Sequence, residues 1–401
     1  MLKKINLPAF SVIVLLPILL VFLTISYKNN FGIGKFEILL TIVSYYIYNI
    51  TVGIGLHRLW SHNSYKTNNF VEAILTLLSA ATLQGPVIAW ASDHHNHHTF
   101  TDTDKDPHSP LKYKNRILGF LWSHMGWMIF KDDNNKNISK TTIVKLGRNK
   151  LLMWQLKHYW TIAILMNILP PLLIGYLIGG NLESAYAGLL FIGVGRAIQQ
   201  QMTFCINSWT HFVGDRKYTS GTARDSWSIA FLLLGENWHN FHHAFPSDYR
   251  NGHKWYHFDA HKWIIFLMSK VGLAWDLQST SEERISARMN LTQDQFRKNT
   301  IQNWESIKIK STELMESLYS QYKKIETSKQ KITSSFSNSI QSTYFDMKNK
   351  LENILTIATK ICEIPENSTD DMLKKAYDSL EKIEKYVNTN FTPNLNTGIK
   401  N

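Results

Sequence analysis

The chain has 401 residues, with 43 Lys and Arg against 31 Asp and Glu and a formal charge of +12. That length fits one large domain plus an appendage, and the basic balance suits an anionic membrane surface as well as nucleic acid. Two cysteines, Cys205 and Cys362, exclude a disulfide framework and a Cys-rich zinc module; neither a P-loop nor a GxGxxG turn is present.

The first predicted element, residues 5–27, is uncharged and reads "INLPAFSVIVLLPILLVFLTISY". It is too long for the apolar core of a signal peptide and lacks a small-residue cleavage site, so it reads as an uncleaved span. Residues 38–56 and 159–182 are further apolar runs near the ~20 residues that cross a bilayer. A fourth run, 184–209, is interrupted by Arg196 and ends in "AIQQQMTFCINSW", which points to burial against other helices rather than lipid.

Residues 70–90 are apolar with only Glu72 charged. Histidines at 57 and 62 precede them and those at 94–98 follow, so a crossing would place the two groups on opposite faces. The Gly85–Pro86 break points instead to an interfacial or re-entrant segment. Two helical hairpins result, with every polar cluster on one side. Lys3, Lys4 and the basic stretch 112–157 put that side, and both termini, in the cytoplasm. From about residue 280 the composition turns to Lys, Ser, Asn, Gln and Glu. "ELMESLYSQYKKIETS" and "MLKKAYDSLEKIEKYV" carry apolar residues at helical spacing. The predicted architecture is an all-α integral membrane protein. Four transmembrane helices and a cytosolic helical cap occupy 1–275, and a hydrophilic, helical, partly ordered extension occupies 276–401.

Three clusters carry the chemistry: "HRLWSH" (57–62), "HHNHH" (94–98) and "HNFHH" (239–243). His94, His97 and His98 stand at i, i+3 and i+4, as do His239, His242 and His243, so each triplet should aim at one point. His57 and His62 are five apart. Imidazole suits iron, zinc and copper. Eight well-placed histidines exceed what one ion takes, so they imply two. "NSWTH" (207–211) adds His211 as a ninth and Asn207 as a polar neighbour. Structural zinc would close with four ligands, so two open ions point to redox or Lewis-acid work. The carboxylate-bridged diiron bundle needs two ExxH motifs, and only Glu236–His239 is present.

"GLHRLWSH", "DHHNHHTFTDTDKDPHS", "NSWTHFVG" and "GENWHNFHHAFPSDYR" resemble the membrane fatty-acyl desaturase family, specifically its Δ9, stearoyl-CoA-type branch, over roughly residues 35–262. The resemblance implies two iron ions held by His57, His62, His94, His97, His98, His211, His239, His242 and His243, with Asn207 holding a water. It leaves out His95. It implies O2 as co-substrate and a fatty-acyl substrate, acyl-CoA or acyl-lipid. It implies an external electron donor, such as a ferredoxin, a rubredoxin-like or a cytochrome b5-like protein with its reductase, because no fused electron-transfer domain is visible. Membrane lipid is a partner and nucleic acid is not. Gln84, Trp90 and Thr203 match positions that line the bend of the acyl chain. Asp102, Asp104 and Asp106 are candidates to support the imidazoles, and Arg58 and Trp60 to pack around the first pair. Ser92 departs from the arginine of the animal enzymes beside the head group, which leaves the acyl carrier open. The implied activity is Δ9 desaturation, with hydroxylation by the same site as the alternative.

Overall fold

The computed structural model describes residues 5–130, 138–327, 334–365 and 368–390. Lys3, Lys4 and part of the basic stretch 112–157 lie outside these. Helix α1 (Leu7–Phe31) opens on a proline in its first turn, where a missing N–H is harmless, and stops at Gly32, φ 82°. Helix α2 (Lys35–Ser61) starts with the Gly34 N–H donating to Glu37 Oε2 at 2.8 Å. Beyond Ile50 its backbone widens to π-helical turns over Thr51–Ser61.

Helix α3 (Asn69–Ala81) is capped by Asn68. Its 13 residues reach only ~20 Å, short of a ~30 Å hydrocarbon core. The chain turns through Leu83 (φ 54°) and Gly85 (φ 100°), and Pro86 precedes helix α4 (Val87–Phe100). Side chains of three other helices meet the polar groups exposed by this break. These helices are α5 (Lys150–Lys157), α6 (Tyr159–Gly179) and α7 (Leu182–Asn207). The Gly85 N–H donates to Tyr159 Oη (2.9 Å) and the Val87 N–H to Gln155 Oε1 (2.9 Å), while Gln200 Nε2 donates to the Thr82 carbonyl (2.8 Å). A break in apolar surroundings persists only with such satisfaction.

Helices α6 and α7 form a hairpin with backbones in contact. A Cβ on Gly175 would stand 2.1 Å from the Ser184 carbonyl, and one on Gly188 2.2 Å from that of Pro171. Helices α1, α2 and α6 are long and apolar enough to cross a membrane. Helix α7 has 26 residues but carries Arg196 and Gln199 to Gln201, which lower its apolar content. Short helix α8 (His239–Ala244) and helix α9 (Ala260–Lys270) follow, and Lys66–Thr67 pairs antiparallel with Ala274–Trp275.

The chain divides into two compact units, Met1–Met289 and Asn290–Asn401. The division falls inside helix α10 (Glu282–Thr327), because Ile285 and Met289 pack on Tyr218, Phe241 and Phe245 of the first unit. In the second unit the rest of α10 joins α11 (Ser334–Glu363) and α12 (Asp370–Asn390) around Trp304, Leu318, Leu351 and Leu380.

Candidate metal centre

Residues five apart on an ordinary α-helix diverge by about 140°. The π-helical end of α2 closes that gap. The His62 N–H donates to the His57 carbonyl at 3.2 Å, Ser61 Oγ donates to the Leu56 carbonyl at 2.7 Å, and the two imidazoles come within 4.8 Å. Helix α4 adds His94, His97 and His98, the helical turn Trp209–Phe212 adds His211, and α8 adds His239, His242 and His243.

The nine imidazoles gather into two groups: His57, His62, His94, His98 and His242 in one, and His97, His211, His239 and His243 in the other. This corrects the expectation that each triplet aims at one point. His97 and His98 are about 100° apart around their helix axis, so α4 lies between the groups and supplies both; α8 does the same with His242 against His239 and His243.

The Nε2 atoms converge. His62 and His94 are 2.7 Å apart, His57 and His242 2.9 Å, His98 and His242 2.9 Å, His97 and His243 3.1 Å, and His211 and His239 3.1 Å. Donors at ~2.1 Å from a cation and at right angles stand ~3 Å apart. Burial, helped by neighbouring imidazoles, holds His62, His94, His97, His98, His239, His242 and His243 well below the usual histidine range, and burial pushes His211 down to about 3. Neutral imidazole is the form that binds metal. The donor set therefore fits two cations.

The rear nitrogens are held as well. Asp106 Oδ1 lies 2.9 Å from His97 Nδ1, and Thr222 Oγ1 lies 2.7 Å from His211 Nδ1 and itself bonds Asp102. Asp104 is exposed, as is His95. Glu236 Oε2 lies 2.8 Å from His57 Nδ1. Arg58, expected to pack around the pair, is fully buried and ion-paired: its Nη2 stands 3.0 Å from Glu236 and 3.0 Å from Asp259. Trp60 donates to Glu72. Sequence reasoning missed the Glu236 contact, Asp259, Thr222 and His108, whose ring lies 4.0 Å from that of His97. Only Glu236 left a signal, as the ExxH partner of His239. Thr222 and His108 stand 11 residues from the imidazoles they contact, at no recognisable motif spacing, and Asp259 lies 201 residues from Arg58.

A cavity of about 920 Å³ opens onto His57, His94 and His108. Gln84, Trp90, Thr203 and Asn207 all line it, among apolar side chains such as Val52, Leu83 and Ile206. The Trp90 ring stacks on His94 at 5.0 Å and 24°. Ser92 is fully buried and accepts the Ser139 N–H at 2.8 Å.

The Fatty acid desaturase family model matches residues 37–274. Acyl-CoA desaturase 1 of Saccharomyces cerevisiae is 36% identical over 250 residues, 62% of this chain and 47% of that protein. The probable acyl-CoA desaturase of Schizosaccharomyces pombe is 36% identical over 246 residues, 61% of this chain and 49% of that one. Stearoyl-CoA desaturase 4 of Mus musculus is 31% identical over 264 residues, 63% and 72%. The chain spans about half the length of the two yeast relatives. The matched segment holds every histidine of both groups, from His57 to His243, and the cavity wall from Gln84 to Thr203: the chain belongs to the fatty acid desaturase family.

Proposed function

We propose that the protein is an O2-dependent fatty-acyl desaturase that places a cis double bond at Δ9 of a saturated acyl chain carried by CoA or by a lipid. The observation that carries this reading is the cavity beside the imidazoles: His57 and His94 of the five-histidine group stand at the wall of a largely apolar space that Trp90, Gln84 and Thr203 also line, and the four-histidine group lies next to that group, with His97 and His98 adjacent on α4. Reduction of O2 to two waters takes two electrons from the substrate C–H bonds and two from an external donor, a ferredoxin, rubredoxin-like or cytochrome b5-like protein with its reductase. The topology we propose has four spans, α1, α2, α6 and α7, with the metal centre in a cap on the cytoplasmic face beside both termini.

In this reading His57, His62, His94, His98 and His242 hold one iron, and His97, His211, His239 and His243 hold the other, with Asn207 contributing through a water. Bound there, the irons supply the redox capacity to attack an unactivated methylene with O2. The chain's own residues place that methylene. Trp90, stacked on His94, sets how closely a chain passes the imidazoles. Val52, Leu83 and Ile206 exclude water from it. Glu236, Asp106 and Thr222 fix ring orientation from behind.

Expression in a desaturase-deficient host, with double-bond position read by mass spectrometry, tests the reading. A new Δ9 monoene is expected, and metal analysis should return one iron for each imidazole group. No monoene despite intact iron and a working reductase, a hydroxylated product, or a lone zinc would overturn it. His97→Ala should abolish turnover.

A further inference from the structure

A surface helix in water buries its apolar stripe and turns a polar face outward. Helix α9 does otherwise. His261, Lys262 and Ile265 are buried on its inner side, while Trp263, Phe266, Leu267 and the C-cap residue Val271, at i, i+3, i+4 and i+8, are exposed, Leu267 by 63% and Val271 by 70%. Lys270, at i+7, is the charge on this outer side, and its ammonium lies over the Phe266 ring at 4.8 Å. The apolar patch continues beyond the helix. The Phe258 ring stands 5.3 Å from that of Trp263 and 4.5 Å from that of Phe231, which is 69% exposed on the helical turn Ala230–Leu233.

Contacts with α2 fix how deep this patch sits. Asn49 Nδ2 donates to the Leu232 carbonyl at 2.8 Å, and Tyr45 Oη donates to the same oxygen. Gly53 packs so closely on His261 that a Cβ there would stand 2.1 Å from its ring. Gly53 and Asn49 lie three and seven residues inside the apolar run that ends at Leu56, which is ~5 and ~10 Å below that end at 1.5 Å per residue. An interfacial helix buries its apolar face ~5–10 Å into the boundary of headgroups and acyl chains. Further along the same span α2 exposes Leu39, Ile42 and Val43.

We propose that α9 and the turn Ala230–Leu233 form a surface that dips into the leaflet from which α2 emerges, so that lipid covers Phe231, Trp263, Phe266, Leu267 and Val271. The inference rests on α2 crossing the bilayer, as in the topology above, and is independent of the reaction. Lys270 keeps its charge among the headgroups while its stem lies along the apolar side. The inner side of the same element carries Asp259, its N-cap, to Arg58 and His261 to Glu236, behind His57. The seat in the lipid and that brace are one piece of structure.

The test places a single fluorescent label on the full chain in phosphatidylcholine nanodiscs, at Phe231→Cys, Leu267→Cys, Ile42→Cys or Asp104→Cys, with Cys205→Ala and Cys362→Ala as background. Labels at 231 and 267 should lose emission to nitroxides placed on the acyl chains near the headgroups and be shielded from a water-soluble quencher. The label at 104 should show the reverse. Water-soluble quenching at 231 and 267 as strong as at 104, with the label at 42 quenched by lipid, overturns the inference alone. Shielding of 231 and 267 from both quenchers also overturns it, since protein rather than lipid would then cover the patch. A label at 42 that lipid nitroxides leave bright overturns the α2 span instead, and the inference falls with it.

Discussion

Glu236 sets Oε2 2.8 Å from His57 Nδ1, and its other oxygen, Oε1, reaches His261 and Arg58. One buried carboxylate thus orients an imidazole of the five-membered group and neutralises a guanidinium that is 1% exposed. Burial alone would raise its pKa, but His57 and Arg58 hold the carboxyl well below the usual range. Glu236→Ala should lower metal affinity ten- to hundredfold and destabilise the fold by ~3 kcal/mol, because Arg58 keeps only Asp259 as a carboxylate partner. Metal titration and thermal unfolding check both effects. Wild-type retention of iron would show that His57 needs no such brace.

The aspartate train gives an internal control. Asp106→Ala and Asp102→Ala should each loosen the four-histidine group, through His97 and through Thr222 with His211 respectively. Asp104→Ala, at an exposed position, should leave metal content and turnover as in wild type. Equal losses in all three variants would refute the assignment.

Gly175→Leu or Gly188→Leu forces apart helices whose backbones touch, at a cost of at least ~1–3 kcal/mol. Gly193→Ala meets only Leu20 Cδ2 at 3.4 Å and should be tolerated. Unfolding temperatures in lipid nanodiscs separate the two classes.

Acid sensitivity has a source outside the metal ligands. Burial, first, and nearby positive charge push His253 down to about 3 and His257 to about 4, against about 6.5 in an unfolded chain. The unfolded chain therefore takes up protons first. This contribution to stability is complete above pH ~6.5 and fades as pH falls toward 4. Neither ring nitrogen of His253 has a partner among the described residues, and its ring stacks on Phe241. His253→Phe should flatten the acid limb of a stability profile relative to wild type. An unchanged slope would place the sensitivity elsewhere.

The helical spacing of His94, His97, His98 and of His239, His242, His243 made the imidazole-bearing helices legible before any coordinates. The allocation was not, because helix periodicity says which residues share a side and not where a second centre sits beside it. His57 and His62 were harder still. Their five-residue gap argues against a shared face unless the backbone abandons α geometry, and nothing in "GLHRLWSH" announces the π turns that reconcile it. Arg58 was under-read because its partners, Glu236 and Asp259, lie 178 and 201 residues away. Apolar runs gave the long helices well, and Gly85–Pro86 gave the corner between α3 and α4.

The order of the ligands along the chain has a consequence for biosynthesis. Both groups require α8: His242 completes one, His239 and His243 the other. A nascent chain that has already emitted both apolar hairpins, up to Asn207, still lacks a finished site for either ion. If the two groups hold the ions proposed above, neither full set of imidazoles exists until α8 has left the ribosome. A truncated product stopping short of α8 would keep four imidazoles of one group, His57, His62, His94 and His98, but only His97 and His211 of the other.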